Sequence, residues 1–417
     1  MHPLKNNTMT SEDCTIECGP MGPIGEHEAL ILRVNRHCPW NRCLFCPVYK
    51  DRKFSPRSLD EIKRDIDAVA LLQDTLEAVS WEMGTSGRIN GETVRELVRR
   101  YPAVFGDYPH DMTFAQARAV DTLGAVTNWL LYGARRVFLQ DADALIMKSA
   151  ELVEAIRYLK KAFPSVTTVS SYARSKTCQR KGPEKLSELR ESGLSWCYVG
   201  IESGCDDVLS FMKKGVTGRE HIEGGRAVMD AGISMAAFVM PGLAGGEAAS
   251  SRRHMDETIS VLNEIRPSEV RVRSLAVNGQ SLLYDRWRAG AFTEPTDDLM
   301  IDELKALIEG LAFECTFETL QMTNPLFTVR GLFSKLKGEM LRAIAEYQEL
   351  PASERARFIL DRYTEGGYLS FVRRWGKYDE GLQAAIADAR ESLERGDPQS
   401  VEKVSRAVFA IKSKGVP

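Results

Sequence analysis

The chain has 417 residues, 43% hydrophobic and 27% charged, with a formal net charge of −3. That length suffices for one large domain with an appendage or for two domains, and the composition is globular rather than disordered or fibrous. The charge excludes a global field drawing the chain to nucleic acid or an anionic membrane, and there is no apolar run of about 18 residues to span one.

The first fourteen residues, "MHPLKNNTMTSEDC", lack a signal-peptide pattern, so a cytoplasmic setting with reduced thiols is expected. "EALILRVN" (Glu28–Asn35) is a β-branched apolar run read as a strand. "SLDEIKRDIDAVALLQ" (Ser58–Gln73) has helical spacing behind a serine cap, and 76–132 reads as a mostly helical insertion. From there strands at 135–140, 165–173, 195–202, 233–242 and 268–277 alternate with helices, including "GPEKLSELRESG", which has proline in its first turn and glycine at its end.

Six strands separated by helices mean parallel β/α units. Right-handed crossovers would close them, or nearly close them, into a TIM-type barrel, although an open doubly wound sheet has the same alternation. After Gly290 long helical stretches dominate with no obvious strands. The expected fold is α/β: a partial (β/α)6 TIM-type barrel with a C-terminal helical extension. Residues 1–27 form an N-terminal extension, 28–290 the barrel and 291–417 a helical region suited to a lid or substrate-side cover.

Between the first strand and the first helix lies "VNRHCPWNRCLFCPVYKD", which puts Cys38, Cys43 and Cys46 inside nine residues. The chain has nine cysteines, an odd number in a long chain, which argues against a disulfide scaffold. Four thiolates would suggest structural zinc or a fully ligated cluster; three suggest a 4Fe–4S cluster with one iron left open. Pro39 and the turn-prone Asn41 suit a loop that wraps such a group. Cys14 or Cys18 could supply a fourth ligand and close the site, and chance clustering of buried cysteines is a further reading.

The loop resembles that of the radical S-adenosylmethionine (SAM) superfamily, whose usual signature is Cys-x3-Cys-x2-Cys after the first barrel strand. This chain has four residues between its first two cysteines. "CPWNRCLFCPVYK" is similar to a Cys-x4-Cys-x2-Cys branch of uncharacterised Fe–S oxidoreductases related to oxygen-independent coproporphyrinogen oxidase. The resemblance covers roughly 28–280 and implies an enzyme whose cofactors are a 4Fe–4S cluster on Cys38, Cys43 and Cys46 and SAM on its open iron. It implies SAM sites at strand ends. Asp141 and Asp143 in "FLQDADALI" would take the methionine ammonium, with Asp141 preferred. In "SSYAR", Arg174, beside Ser170 and Ser171, would grip the carboxylate. Glu202 in "YVGIESG" would accept from the ribose hydroxyls, with Ser203 and Gly204 allowing close backbone approach. Met240 and Gly242 in "FVMPGLAG", together with Phe45, would meet the adenine. Each has a bland counterpart: solvated loop acids, a surface arginine, a capping acid, a core phenylalanine. "MTNPLFTVRGLFSKLKGEML" (Met322–Leu341) resembles the same branch without an evident chemistry; Asn324 and Arg330 read as structural, with a place at the open end of the barrel as the alternative.

The resemblance implies reductive cleavage of SAM to methionine and a 5′-deoxyadenosyl radical that abstracts hydrogen from an unknown substrate. The expected partners are a small-molecule or lipid-like substrate and an electron donor such as flavodoxin or ferredoxin; nucleic acid is not indicated. Alternatives are a SAM-dependent methyltransferase or a tRNA-modifying enzyme on the same barrel, and a non-catalytic metal-binding scaffold.

Overall fold

Six apolar runs become the parallel strands β1 (Leu30–Arg33), β2 (Arg136–Gln140), β3 (Thr168–Ala173), β4 (Leu194–Glu202), β5 (Ser234–Val239) and β6 (Glu269–Val272) of a computed structural model. The structure describes residues 9–19, 22, 25–107 and 109–415. The strands pair in chain order, each parallel to the last, and helices connect them, which gives the expected partial barrel. Two short strands continue the sheet: β7 (Thr316–Glu318), parallel to β6, and β8 (Arg330–Leu332), antiparallel to β7. The expectation of no strands beyond Gly290 is thereby corrected. Three-residue strands carry too little periodicity to be read, yet Phe317 is fully buried.

Alternation along the strands sorts side chains to two sides. On β4, Leu194, Cys197, Val199 and Ile201 join the main core under the helices, while Tyr198 points inward with Phe138 and Ala236, and Trp196, Tyr172 and Phe238 pack on them. At the base of this interior Arg271 pairs with Glu269 and Glu318, and Tyr198 donates to Glu26.

The first helix, Leu59–Glu82, starts at a Ser58/Glu61 capping box and runs past the expected end at Gln73. The rest of the insertion is helical at Gly91–Arg100, Pro102–Phe105 and Phe114–Leu131. "GPEKLSELRESG" is helical as expected, but a turn beginning at Ser175 precedes it, and Gly182, at φ +72°, carries the kink between them. Beyond β8, helices at Phe333–Glu349, Ala352–Glu365, Tyr368–Arg374, Glu380–Arg395 and Ser400–Ser413 form the C-terminal region. No helix among the described residues is long and apolar enough to cross a membrane.

Candidate active site

The chain leaves β1 into a two-stranded ribbon, Asn35–Arg36 against Ser55–Pro56, which closes the neck of the cysteine loop. Beneath the neck, Glu17 of the N-terminal segment pairs with Arg33 and Arg36, and Arg57 pairs with Asp65 at 2.6 Å. Within the loop His37 and Asn41 adopt positive φ, +68° and +45°. The Asn41 amide donates to the carbonyls of Tyr49 and Arg52, and its backbone N–H donates to Cys38 Sγ at 3.4 Å. Asparagine tolerates this left-handed turn because its side chain replaces the lost backbone partners.

The loop docks on the segment after β4. Trp40 Nε1 donates to the Lys213 carbonyl at 2.7 Å, and Leu44 N–H donates to the Met212 carbonyl. Trp40 lies on Gly215, at φ +71°, where an added Cβ would stand 2.1 Å from the indole. The Arg174 guanidinium, from the end of β3, covers the same ring at 5.0 Å and donates to the Lys214 carbonyl at 2.9 Å.

These pieces enclose a cavity of about 420 Å³ at the C-terminal ends of the strands. Cys38, Cys43 and Cys46 all line it, whereas Cys14 is sealed in the main core and Cys18 is exposed away from it. Burial pushes the Cys43 thiol up to about 11, so a thiolate there needs strong positive charge beside it, which a bound iron supplies. No three of the described His, Cys, Asp and Glu residues surround a single metal-ion position. Three thiols on one cavity wall, with no fourth there, fit a cluster with an open corner better than one ion.

Phe45, Arg174, Glu202 and Met240 line the same cavity. Glu202 sits at φ +64°, just past a register shift in β4, and its carboxylate meets Lys214 Nζ at 3.2 Å. Gly200 makes room for it: an added Cβ would lie 2.2 Å from Glu202 Oε1. A non-glycine residue held at positive φ in a cavity wall is the kind of strain that collects at functional sites. Lys214 Nζ also lies 5.7 Å from the Phe45 ring.

Six expected residues do not line the cavity; Gly204, one of them, gives its N–H to Thr258 Oγ1 at 2.8 Å. Asp141 is buried behind the wall, where its carboxylate accepts from Arg33 Nε at 3.0 Å and Nη2 at 2.7 Å, from His37 N–H at 2.9 Å and from Tyr49 Oη. Asp143, also buried, accepts from Thr177 Oγ1, and burial pushes its carboxyl up to about 6. Ala142, between them, is the residue that lines the cavity. Ser171 donates to the Tyr172 carbonyl, and Ser203 bonds His254 Nδ1 at 2.8 Å. Gly242, at φ +88°, gives its N–H to buried Glu303 and is packed against Met300 and Pro295. Asn324 is structural, bonded to Ser274, Val272 and Thr319, and Arg330 pairs with Glu269 outside the cavity.

Sequence reasoning missed Trp40, which lies within the cysteine loop, and Lys214 and Arg273. It also missed His254, whose Nε2 reaches the Met240 carbonyl at 3.3 Å, joining the ends of β4 and β5 from behind. The C-terminal region closes the outer side: Tyr368, Phe371 and Lys412 all line the cavity. Lys412, almost fully buried, pairs with Asp297 at 2.8 Å and lies over the Tyr363 ring.

A thiol trio on the loop after the first strand, opening onto the C-terminal ends of parallel strands, is the arrangement that the resemblance to the radical SAM superfamily implies. Among known proteins, the chain is similar to the tRNA uridine(34) acetyltransferases of Methanocaldococcus jannaschii, 20% identical over 61% of this chain and 43% of that protein, and of Methanocaldococcus infernus, 20% identical over 61% and 44%. It thus spans less than half the length of these curated relatives. Similar solved structures include coproporphyrinogen III oxidase from Escherichia coli, described as a radical SAM enzyme (TM-score 0.35, 13% identity, 42% of this chain, 39% of that one). Methylornithine synthase is another (TM-score 0.39, 10% identity, 76% of this chain, 70% of that one). No family model matches the chain.

Proposed function

We propose that the chain is a radical SAM enzyme acting on a small molecule enclosed by the barrel and its C-terminal helices. One observation carries this reading: Cys38, Cys43 and Cys46 face a single cavity at the C-terminal ends of parallel strands, without a fourth thiol. Cys38, Cys43 and Cys46 would hold a 4Fe–4S cluster, whose chemistry when bound and reduced is one-electron cleavage of SAM to methionine and a 5′-deoxyadenosyl radical. Arg174 offers a planar fork for the SAM carboxylate, held in place by Trp40 and the Lys214 carbonyl. Glu202, pinned by Lys214, is placed to accept from the ribose hydroxyls, and Phe45 and Met240 supply apolar surface for adenine. Asp141 acts through Arg33 and the loop backbone, fixing the cysteines rather than touching SAM. Tyr368, Phe371 and Lys412 exclude water on the open side, which protects a reactive carbon radical. The electron would come from a flavodoxin or ferredoxin in a cytoplasmic setting.

Anaerobic reconstitution tests the ligand assignment. The chain is expected to bind about four irons, and Cys43→Ser to lose most of them while keeping its helical circular dichroism. One zinc per chain, retained by Cys43→Ser, would overturn it in favour of a metal-binding scaffold.

The likeness to the tRNA uridine(34) acetyltransferases favours a second reading, action on a transfer-RNA base extruded into the cavity. Deuterated transfer RNA that delivers label to 5′-deoxyadenosine would support it over the first.

A further inference from the structure

Charge in the cavity wall is one-sided. Arg174, Lys214, Arg273 and Lys412 line it, against a single carboxylate, Glu202. Lys214 is neutralised by Glu202, and Lys412 by Asp297. Two guanidiniums remain without a carboxylate partner among the described residues. SAM has one carboxylate to offer, and Arg174, at the end of β3, is already committed to it in the reading above. Arg273 follows β6, three strands away in the sheet order. Its side chain is partly buried and makes no hydrogen bond or ion pair with any described residue, although its positive charge favours ionisation of Cys46, Tyr172 and Tyr368. Gln321, a neutral amide from the segment between β7 and β8, also lines the cavity.

A planar, permanently charged fork inside a cavity of about 420 Å³ is costly to leave unpaired, because burial removes part of its water. We propose that Arg273 is the anchor for an oxyanion, carboxylate or phosphate, on the substrate, seated between the cysteine side of the cavity and Tyr368 of the C-terminal cover. The substrate role rests on the radical SAM reading; the anion site itself does not.

Isothermal titration of the full chain with succinate, its neutral isostere succinamide and inorganic phosphate tests this. Succinate or phosphate is expected to bind at least roughly tenfold more tightly than succinamide, the tighter of the two identifying the anion. Arg273→Gln should fall to the succinamide level, and Arg273→Lys should keep part of the preference, which separates a lost charge from a lost fold. Binding should persist at saturating SAM. Equal affinity for succinamide and both anions, undiminished anion binding by Arg273→Gln, or displacement of the anion by SAM would each overturn the proposal. A chain that binds the anion through Arg273, yet never cleaves SAM after reduction, upholds the anion site and sinks the radical reading alone.

Discussion

Asp141 stands at the strand end where the sequence put it, but its carboxylate turns behind the cavity wall to Arg33. An acid at the end of β2 was legible as part of the site, but its partner Arg33 is 108 residues away in sequence and adjacent only because β1 and β2 pair. Removing the charge leaves Arg33 buried and half-satisfied. Asp141→Asn is therefore expected to destabilise the fold by about 3–5 kcal/mol in a denaturant titration. A variant that only weakens SAM binding, at full stability, would return Asp141 to the cavity. His254 gives a pH signature. Burial lowers its pKa from 6.5 to about 4, so below pH 6.5 the unfolded chain takes up a proton that the folded chain refuses. Stability is lost as pH falls through that window, by up to about 1.4 kcal/mol per pH unit from this group. Glu303, pushed up to about 7 by burial, works in the opposite sense, so the quantity to read is the difference from His254→Gln. That variant should show a shallower acid loss than the wild type between pH 6.5 and 4, and parallel curves would contradict the assignment.

At the scale of elements, the six barrel strands were legible because each is an apolar, β-branched run bounded by helical spacing. β7 and β8 were not, being three residues each and recognisable only once β6 offers an edge. The cysteine loop was legible from spacing, but its seat was not: Trp40 and Gly215 meet only in three dimensions. Gly215→Ala would drive a Cβ into the Trp40 indole at a positive-φ position. It should lower stability by roughly 2 kcal/mol and weaken iron retention on gel filtration after anaerobic reconstitution. Retention equal to wild type would mean that the loop does not depend on this seat. In the C-terminal region, Lys412→Met strands Asp297 beside a buried ring. A loss of about 3 kcal/mol is expected, partly recovered in Lys412→Met/Asp297→Asn by thermal unfolding. Simple additivity of the two changes would show that the pair does not hold the cover.

For the whole molecule, the site is a property of assembly. The N-terminal segment ties down the ribbon under the cysteine loop, the barrel supplies Arg174, Glu202, Met240 and Arg273, and the C-terminal helices supply Tyr368, Phe371 and Lys412. Of the barrel residues that line the cavity, Arg174, Glu202 and Met240 were legible because each sits in a motif at a strand end, whereas Arg273 was not. The sequence suggested a helical cover over 291–417 but not which of its residues reach the cavity, because Tyr368, Phe371 and Lys412 get there through packing alone. The most direct measurement is chromatographic assay of the anaerobically reconstituted, dithionite-reduced full chain for 5′-deoxyadenosine after incubation with SAM. Accumulation of 5′-deoxyadenosine together with methionine, abolished in Cys43→Ser, is the predicted result. A chain carrying its full iron complement that returns SAM intact would contradict the account.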